Sequence, residues 1–275
     1  MLDANVLEEI EIGLLLDGVF RHYGVDFRNY SMDSLKRRIR SLLAREKIAT
    51  ISGLQEKVLH DPAWLRRLSG AIPVATTSMF RNPAFFLAFR EKIVPLLRTY
   101  PFIRVWVAGC STGEEAYSMA ILLQEEGLYE RSKIYATDMN EESLKKAELG
   151  TFPKSALSEN TRNYVEAGGR GALEHYCSVG REVVTFNTPL KRHLVFAEHN
   201  LVTDSSFNEF TVVLCRNVLI YFNRPLQAHV HKLLFDSLVT FGFLGLGNED
   251  TLKFTPFENR YAPADSREQL FRKVG

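Results

Sequence analysis

The spacing of apolar positions divides the chain. From residue 1 to about 72 they recur at helical intervals with no strand signal: Leu7, Ile10, Ile12, Leu14, Leu15, Val19 and Phe20, then Leu35, Ile39, Leu42 and Leu43, then Leu54, Val58 and Leu59, then Leu65 and Leu68. This predicts a small all-helical unit over 1–72. The stretch 73–82 is polar and reads as a linker, and Asn82-Pro83 offers an N-cap and a first-turn proline to the next helix. Beyond it the period alternates, with helices near 83–98, 114–126, 140–149 and 224–240 and strands near 103–108, 133–137, 193–198, 211–214 and 243–246. Such alternation predicts an α/β domain over 83–275 with a parallel, doubly wound sheet, ligands lying outside the strand C-termini. The alternation fails between about 151 and 192, where Ala167-Gly168-Gly169-Arg170-Gly171 and Glu182-Val183-Val184-Thr185-Phe186 read as an insertion. A β-subdomain is expected there at about 165–190, either a specificity element or a plain surface hairpin.

Composition adds exclusions. The 275 residues carry a formal net charge of +1, 45% hydrophobic and 24% charged residues, with no overall basic bias toward nucleic acid. No apolar run approaches the ~20 residues of a membrane span, and the N-terminus lacks a signal-peptide layout, so a cytoplasmic location without membrane insertion is expected. Cys110, Cys177 and Cys215 are widely spaced with no metal-ligand pattern, which predicts free thiols and no metal site. Charge is uneven all the same: the second predicted helix carries Lys36, Arg37, Arg38, Arg40 and Arg45 around its apolar stripe. That face is either simply solvated or a dock for an acidic partner.

The candidate chemistry begins at Val105-Trp106-Val107-Ala108-Gly109-Cys110-Ser111-Thr112-Gly113-Glu114-Glu115, a strand, a tight turn and a helix start. Ala108, Gly109 and Gly113 carry little bulk, so a ligand can approach the backbone at a helix N-terminus. Glu114 and Glu115 disfavour a phosphate there, and no P-loop pattern follows. A cofactor with a cationic amino-acid tail and a ribose, such as S-adenosylmethionine, suits that charge; the acids also serve as ordinary first-turn residues complementing the helix dipole. Roughly 25 residues after the turn, Ile134-Tyr135-Ala136-Thr137-Asp138 ends in a carboxylate placed to accept from ribose hydroxyls or to cap the next helix. Two further strands end in polar residues, at Asn200-Leu201 and at Arg216-Asn217.

Taken together, Thr77-Ser78-Met79-Phe80-Arg81, the turn from Ala108 to Ser118, Asp138, and Cys215-Arg216-Asn217-Val218-Leu219-Ile220-Tyr221-Phe222 resemble the chemotaxis receptor methyltransferases, the CheR family, over nearly the whole chain. The resemblance implies an S-adenosylmethionine-dependent protein-glutamate O-methyltransferase with a helical N-terminal domain and a class I methyltransferase domain holding an inserted β-subdomain. It implies that Thr77, Arg81, Ala108, Gly109, Glu115, Asp138, Asn200, Leu201, Arg216 and Asn217 bind the cofactor. Arg81, Arg216 and Tyr221 would border the transferring methyl and the incoming glutamate, and Arg37, Arg38 and Arg40 would dock the cytoplasmic helices of a chemoreceptor. The chain departs from the family pattern at Ala75, Met79, Thr211 and Asn248, and its inserted segment differs from the version that holds a receptor's C-terminal pentapeptide. A module that senses the cofactor without transferring its methyl is the alternative from another class.

Overall fold

A computed structural model describes residues 4–72, 77–253 and 255–275, so most of the first half of the expected linker, with Ala75, lies outside the described residues. The chain forms two compact units: the N-terminal helices joined by Ile220–Gln227, and the remainder. Among the described residues no helix is long and apolar enough to cross a membrane.

The first unit holds α1 (Ala4–Tyr23), α2 (Met32–Glu46), α3 (Ile51–His60) and α4 (Pro62–Ala71). Ile12, Leu15, Leu16 and Val19 form one buried stripe along α1, which lies against α2, with Leu35, Ile39 and Leu42 buried, and α3, with Leu54 and Val58 buried. Leu7, Ile10 and Leu14, also expected in the apolar pattern, are instead 52%, 46% and 56% exposed. Helix starts follow capping chemistry: Thr50 and Asp61 accept from the backbone N–H groups of Gly53 and Ala63, and Pro62 occupies the first turn of α4. Ile220–Gln227 is stitched in by backbone bonds, Ser31 N–H to the Tyr221 carbonyl at 2.8 Å and Asn223 N–H to the Asn29 carbonyl at 2.9 Å. A bridge between Tyr30 and Phe222, whose rings meet edge-on at 5.0 Å, completes the junction.

The second unit opens with α5 (Pro83–Ala88), a π turn at Phe89–Ile93 and α6 (Val94–Leu97). The π turn precedes Pro95, which has no N–H for the ordinary helical bond and whose ring crowds the carbonyl four residues back. Then come β1 (Ile103–Ala108), α7 (Glu114–Glu125), β2 (Ser132–Asp138), α8 (Glu141–Leu149), β3 (Thr151–Pro153), α9 (Leu157–Glu166), β4 (Cys177–Val179), β5 (Val183–Phe186), α10 (Thr188–Lys191) and β6 (Leu194–Glu198). They are followed by β7 (Phe210–Cys215), α11 (Arg224–Ser237), β8 (Leu238–Leu246), β9 (Tyr261–Asp265) and β10 (Leu270–Lys273).

The main sheet runs β6-β2-β1-β7-β8-β10-β9. Its first five strands are parallel, and β10 and β9 add antiparallel edges that the alternation did not predict. Every residue of β7 is buried, as a central strand covered on both faces requires. The strand order reverses between β1 and β7, which makes their C-terminal ends the switch point where doubly wound sheets take ligands. The expected β-subdomain is a three-stranded antiparallel sheet in the order β3-β5-β4, and β3 starts it at Thr151 rather than near 165. Buried Arg90 anchors this region, pairing with Glu125 of α7 and with Glu126 just after it and donating to the Ala167 carbonyl, while Tyr164 and Tyr176 donate to Glu125.

Candidate functional site

Where β1 ends, Ala108 is buried and Gly109 turns with φ +76°. A Cβ on Gly109 would stand 2.6 Å from Val218 Cγ2, and one on Gly113, at φ +95°, 2.9 Å from the Ala147 Cβ. The glycines are thus demanded by their backbone conformation and by packing, and neighbouring side chains, not open room, fill the missing bulk. The N–H groups of Gly109 and Cys110 both donate to the Thr137 carbonyl at the end of β2. That pulls the turn against Asp138, whose Oδ2 accepts from Ser111 N–H at 2.8 Å and whose Oδ1 accepts from Asn140 N–H at 2.9 Å. Burial raises the Asp138 pKa above the ordinary carboxylate value, with the N–H bonds opposing it. Capping α8 falls to Asn140, which accepts from Ser143 N–H, so Asp138 is freed from that duty.

At the start of α7 the two acids differ. Glu114 is buried, accepts from the Thr112 hydroxyl, and has its pKa raised by desolvation. Glu115 pairs through Oε2 with Arg216 Nη1 at 2.6 Å. Arg216 follows β7, and its side chain has no exposed surface. Its Nη2 donates to the Arg81 carbonyl at 2.9 Å and to Asn82 Oδ1 at 3.2 Å, and its guanidinium lies 4.0 Å from the centre of the Phe85 ring. Arg216, expected beside the incoming glutamate, is thus held inside the protein as a brace for Glu115, Arg81 and Asn82. The expectation that the Asn82 side chain caps the next helix is corrected. This residue precedes α5 with φ +59° and spends its side chain on Arg216 instead of capping the helix.

Arg81, half-buried, lies between two non-glycine residues of positive φ, Phe80 at +49° and Asn82 at +59°. Backbone strain of this kind persists only where surroundings over-determine it. Here Met79 N–H donates to Asn160 Oδ1 at 3.1 Å, Phe80 N–H to Ser118 Oγ at 2.9 Å, and Asn163 Nδ2 to the Met79 carbonyl at 3.1 Å. Sequence reasoning missed Ser118, Asn160 and Asn163; the available signal was a pair of amides three apart on α9. Thr77 is half-buried at the start of the same described segment.

Beyond β6, Leu201 is buried and Asn200 accepts from Val202 N–H through Oδ1 while its own N–H donates to Asp204. Asn217 follows Arg216 at φ +59°. These strand ends all belong to the second unit. Tyr221, Arg37, Arg38 and Arg40 belong to the first. There Arg40 pairs with Glu8 and Lys36 with Glu9, both at 2.6 Å, so acids on α1 offset part of the expected basic face. Among the described residues Arg37 and Arg38 make no ion pair, and Arg37 is exposed. The cysteines are free and buried; burial pushes Cys177 up to about 11 and Cys110 and Cys215 well above their ordinary value, which rules out a thiolate nucleophile at neutral pH.

The residues fit a cationic nucleoside cofactor. Ser111 Oγ is buried beside Asp138 with no partner among the described residues, an unmet hydroxyl where a ribose is expected. Glu115 keeps Oε1 outside its pair with Arg216 and can accept from an ammonium. Asp138 accepts backbone N–H groups from Ser111, Asn140 and Met139, which orient its carboxylate at the strand end where a ribose is expected.

Comparison with known proteins gives the same reading. Residues 75–267 match the CheR methyltransferase, SAM binding domain, and residues 10–72 the CheR methyltransferase, all-alpha domain. A protein called methyltransferase Cher3 in Pseudomonas putida is 46% identical over 96% of this chain and 97% of its own. A chemotaxis protein methyltransferase of Listeria monocytogenes is 28% identical over 85% of this chain and 87% of its own. A 104.1 kDa protein of Rhodobacter capsulatus is 30% identical over 83% of this chain but only 24% of its own length. With the helical unit, the seven-stranded switch-point sheet and the acids at the end of β2 and the start of α7, these matches mean that the chain belongs to the CheR methyltransferase family, with S-adenosylmethionine as its cofactor.

Proposed function

We propose that this chemotaxis-type methyltransferase modifies glutamate side chains on the cytoplasmic helices of chemoreceptors, giving glutamate methyl esters. One observation carries the reading: buried Arg216 ties Glu115 to the backbone of Arg81, through contacts of 2.6 and 2.9 Å. The acid expected at the cofactor's amino-acid end and the arginine expected at the acceptor are therefore held as one piece.

The bound cofactor supplies a methyl carbon on a sulfonium, which an anionic oxygen can attack directly. A glutamate carboxylate is already ionised at neutral pH, so no general base is needed, in keeping with the inert cysteines of this chain. What the protein has to provide is alignment and exclusion of water. Glu115 Oε1 accepts from the cofactor's ammonium, Asp138 from its ribose hydroxyls, and Asn200 and Leu201 border its adenine. Thr77, Ala108, Gly109 and Asn217 complete the contacts. Arg81 orients the acceptor carboxylate; too tight an ion pair there would stabilise the ground state and oppose transfer. Tyr221 acts at the acceptor in the same reading, and Arg37, Arg38 and Arg40 engage the receptor helices.

The test is incubation with methyl-labelled cofactor and cytoplasmic fragments of chemoreceptors. Base-labile label on glutamates is expected. Cofactor binding with no label on any receptor would leave a sensor module in place of the enzyme.

A further inference from the structure

Beyond the residues assigned so far, one carboxylate fastens the two strand ends on the β7 side of the switch point. Asp250 is 4% exposed and follows the C-terminal end of β8. Its Oδ2 accepts two backbone N–H groups at once, from Asn217 at 2.8 Å and from Gly247 at 2.9 Å. Those residues continue β7 and β8, which pair side by side through Cys215 and Leu246. A further bond, Asp250 N–H to the Gly247 carbonyl at 3.0 Å, closes the turn that brings the carboxylate back.

The fit leaves no slack. A Cβ on Gly247 would stand 2.6 Å from Asn217 N, 2.7 Å from Asp250 Oδ2 and 2.8 Å from Asn217 Nδ2. Contacts that short do not occur with real side chains, so the glycine, the carboxylate and the asparagine form one interlocked group. Asn217 is also held at φ +59°, a left-handed conformation that asparagine tolerates better than most residues but that still has to be stabilised. A buried anionic acceptor on its N–H is a strong means of doing so.

We propose that Asp250 is a positioning residue: it locks Asn217 in its left-handed conformation and so sets the Arg216–Asn217 turn against the cofactor. The proposal rests on the reading of Asn217 as a cofactor contact. It makes Gly247 and Asp250 parts of the binding site that touch no ligand, and it accounts for a buried carboxylate with no role in the transfer itself.

A double-mutant cycle on the full chain tests it, with S-adenosylhomocysteine affinity read by calorimetry and exchange at the Asn217 and Gly247 amides read alongside. Asp250→Ala is expected to weaken binding ~10-fold and to speed exchange at both amides, since a charge-assisted bond to each is lost. Asn217→Gly is expected to weaken binding on its own, because it removes the contacting side chain while glycine accepts positive φ. In that background Asp250→Ala should change affinity less than about twofold, the signature of action through Asn217. An equal loss in both backgrounds, or unchanged affinity in Asp250→Ala, overturns the positioning role. Unchanged affinity in Asn217→Gly alone removes the Asn217 contact, and the proposal with it. Should Asp250→Ala not fold, Asp250→Asn goes through the same cycle, its neutral amide oxygen being a weaker acceptor for the two N–H groups, with the same outcomes deciding.

Discussion

Arg216 and Glu115 form an ion pair of 2.6 Å across 101 residues of sequence, with the guanidinium wholly shielded from solvent. A buried charge holding a partner in place costs most when that partner is removed. Arg216→Ala leaves the Glu115 carboxylate uncompensated and frees the Arg81 carbonyl, so a loss on the order of 3–5 kcal/mol in stability is expected by denaturant titration. Glu115→Gln keeps an acceptor for Arg216 but removes the charge proposed to face the cofactor's ammonium. Calorimetry should show weaker S-adenosylhomocysteine binding with much of the stability kept; unchanged affinity would remove Glu115 from the binding site.

Asp138 holds the turn and, in the proposed reading, the ligand as well. Asp138→Ala abolishes the acceptors for Ser111 and Asn140 N–H, so cofactor affinity should fall at least ~10-fold. The pH dependence has a definite sign. Burial raises the folded carboxyl's pKa, so its stabilising contribution is present below the ordinary carboxylate value and is lost as pH rises through the folded one. That contribution runs against the usual acid destabilisation, so Asp138→Asn should steepen the acid limb of the stability profile of the ligand-free protein, measured by urea unfolding.

Gly109 admits no side chain for two separable reasons. Gly109→Ala meets Val218 Cγ2 and strains a backbone at φ +76°, for a cost of about 1–3 kcal/mol. Adding Val218→Ala should recover the steric part only. Full recovery in melting temperature would show that the conformation itself carries no strain.

His231 is buried in α11 with Nε2 3.1 Å from the Thr251 carbonyl, and burial lowers its pKa to about 4. Because the folded state resists protonation, its contribution is complete above about pH 6.5 and is lost as pH falls toward 4, up to about 3 kcal/mol. His231→Gln, whose amide can still donate to Thr251, should lose most of that dependence between pH 7 and 5. A wild-type profile that is flat over this window would contradict the assignment.

On α2, Arg37 and Arg38 differ from Arg40, which is engaged with Glu8. Reversing the charge at Arg37 and Arg38 should raise KM for a receptor fragment several-fold at low salt, with the difference shrinking as ionic strength rises and S-adenosylhomocysteine affinity unaffected. A salt-independent effect would argue against electrostatic docking.

Contiguous features are legible in the order of residues alone: the glycine turn, acids at helix and strand ends, four helices ahead of a doubly wound sheet, and the motifs that mark the family. Each is a local matter of period, propensity or a run of neighbouring residues, which is what a chain carries in its order. Other features depended on which distant segments meet. Arg216 became an internal brace because α5, α7 and β7 close around it. Leu7, Ile10 and Leu14 share the helical period of Ile12, Leu15 and Val19, yet only the latter found a partner face. Ile220–Gln227 continues a sheet strand in sequence but joins the helices through Ser31 and Asn29, and Asp250 reaches Asn217 across 33 residues. Periodicity predicts that a face wants burial; burial of a charge, or a hydrogen bond between strand ends, is decided only when the chain has closed and the competing partners are in place.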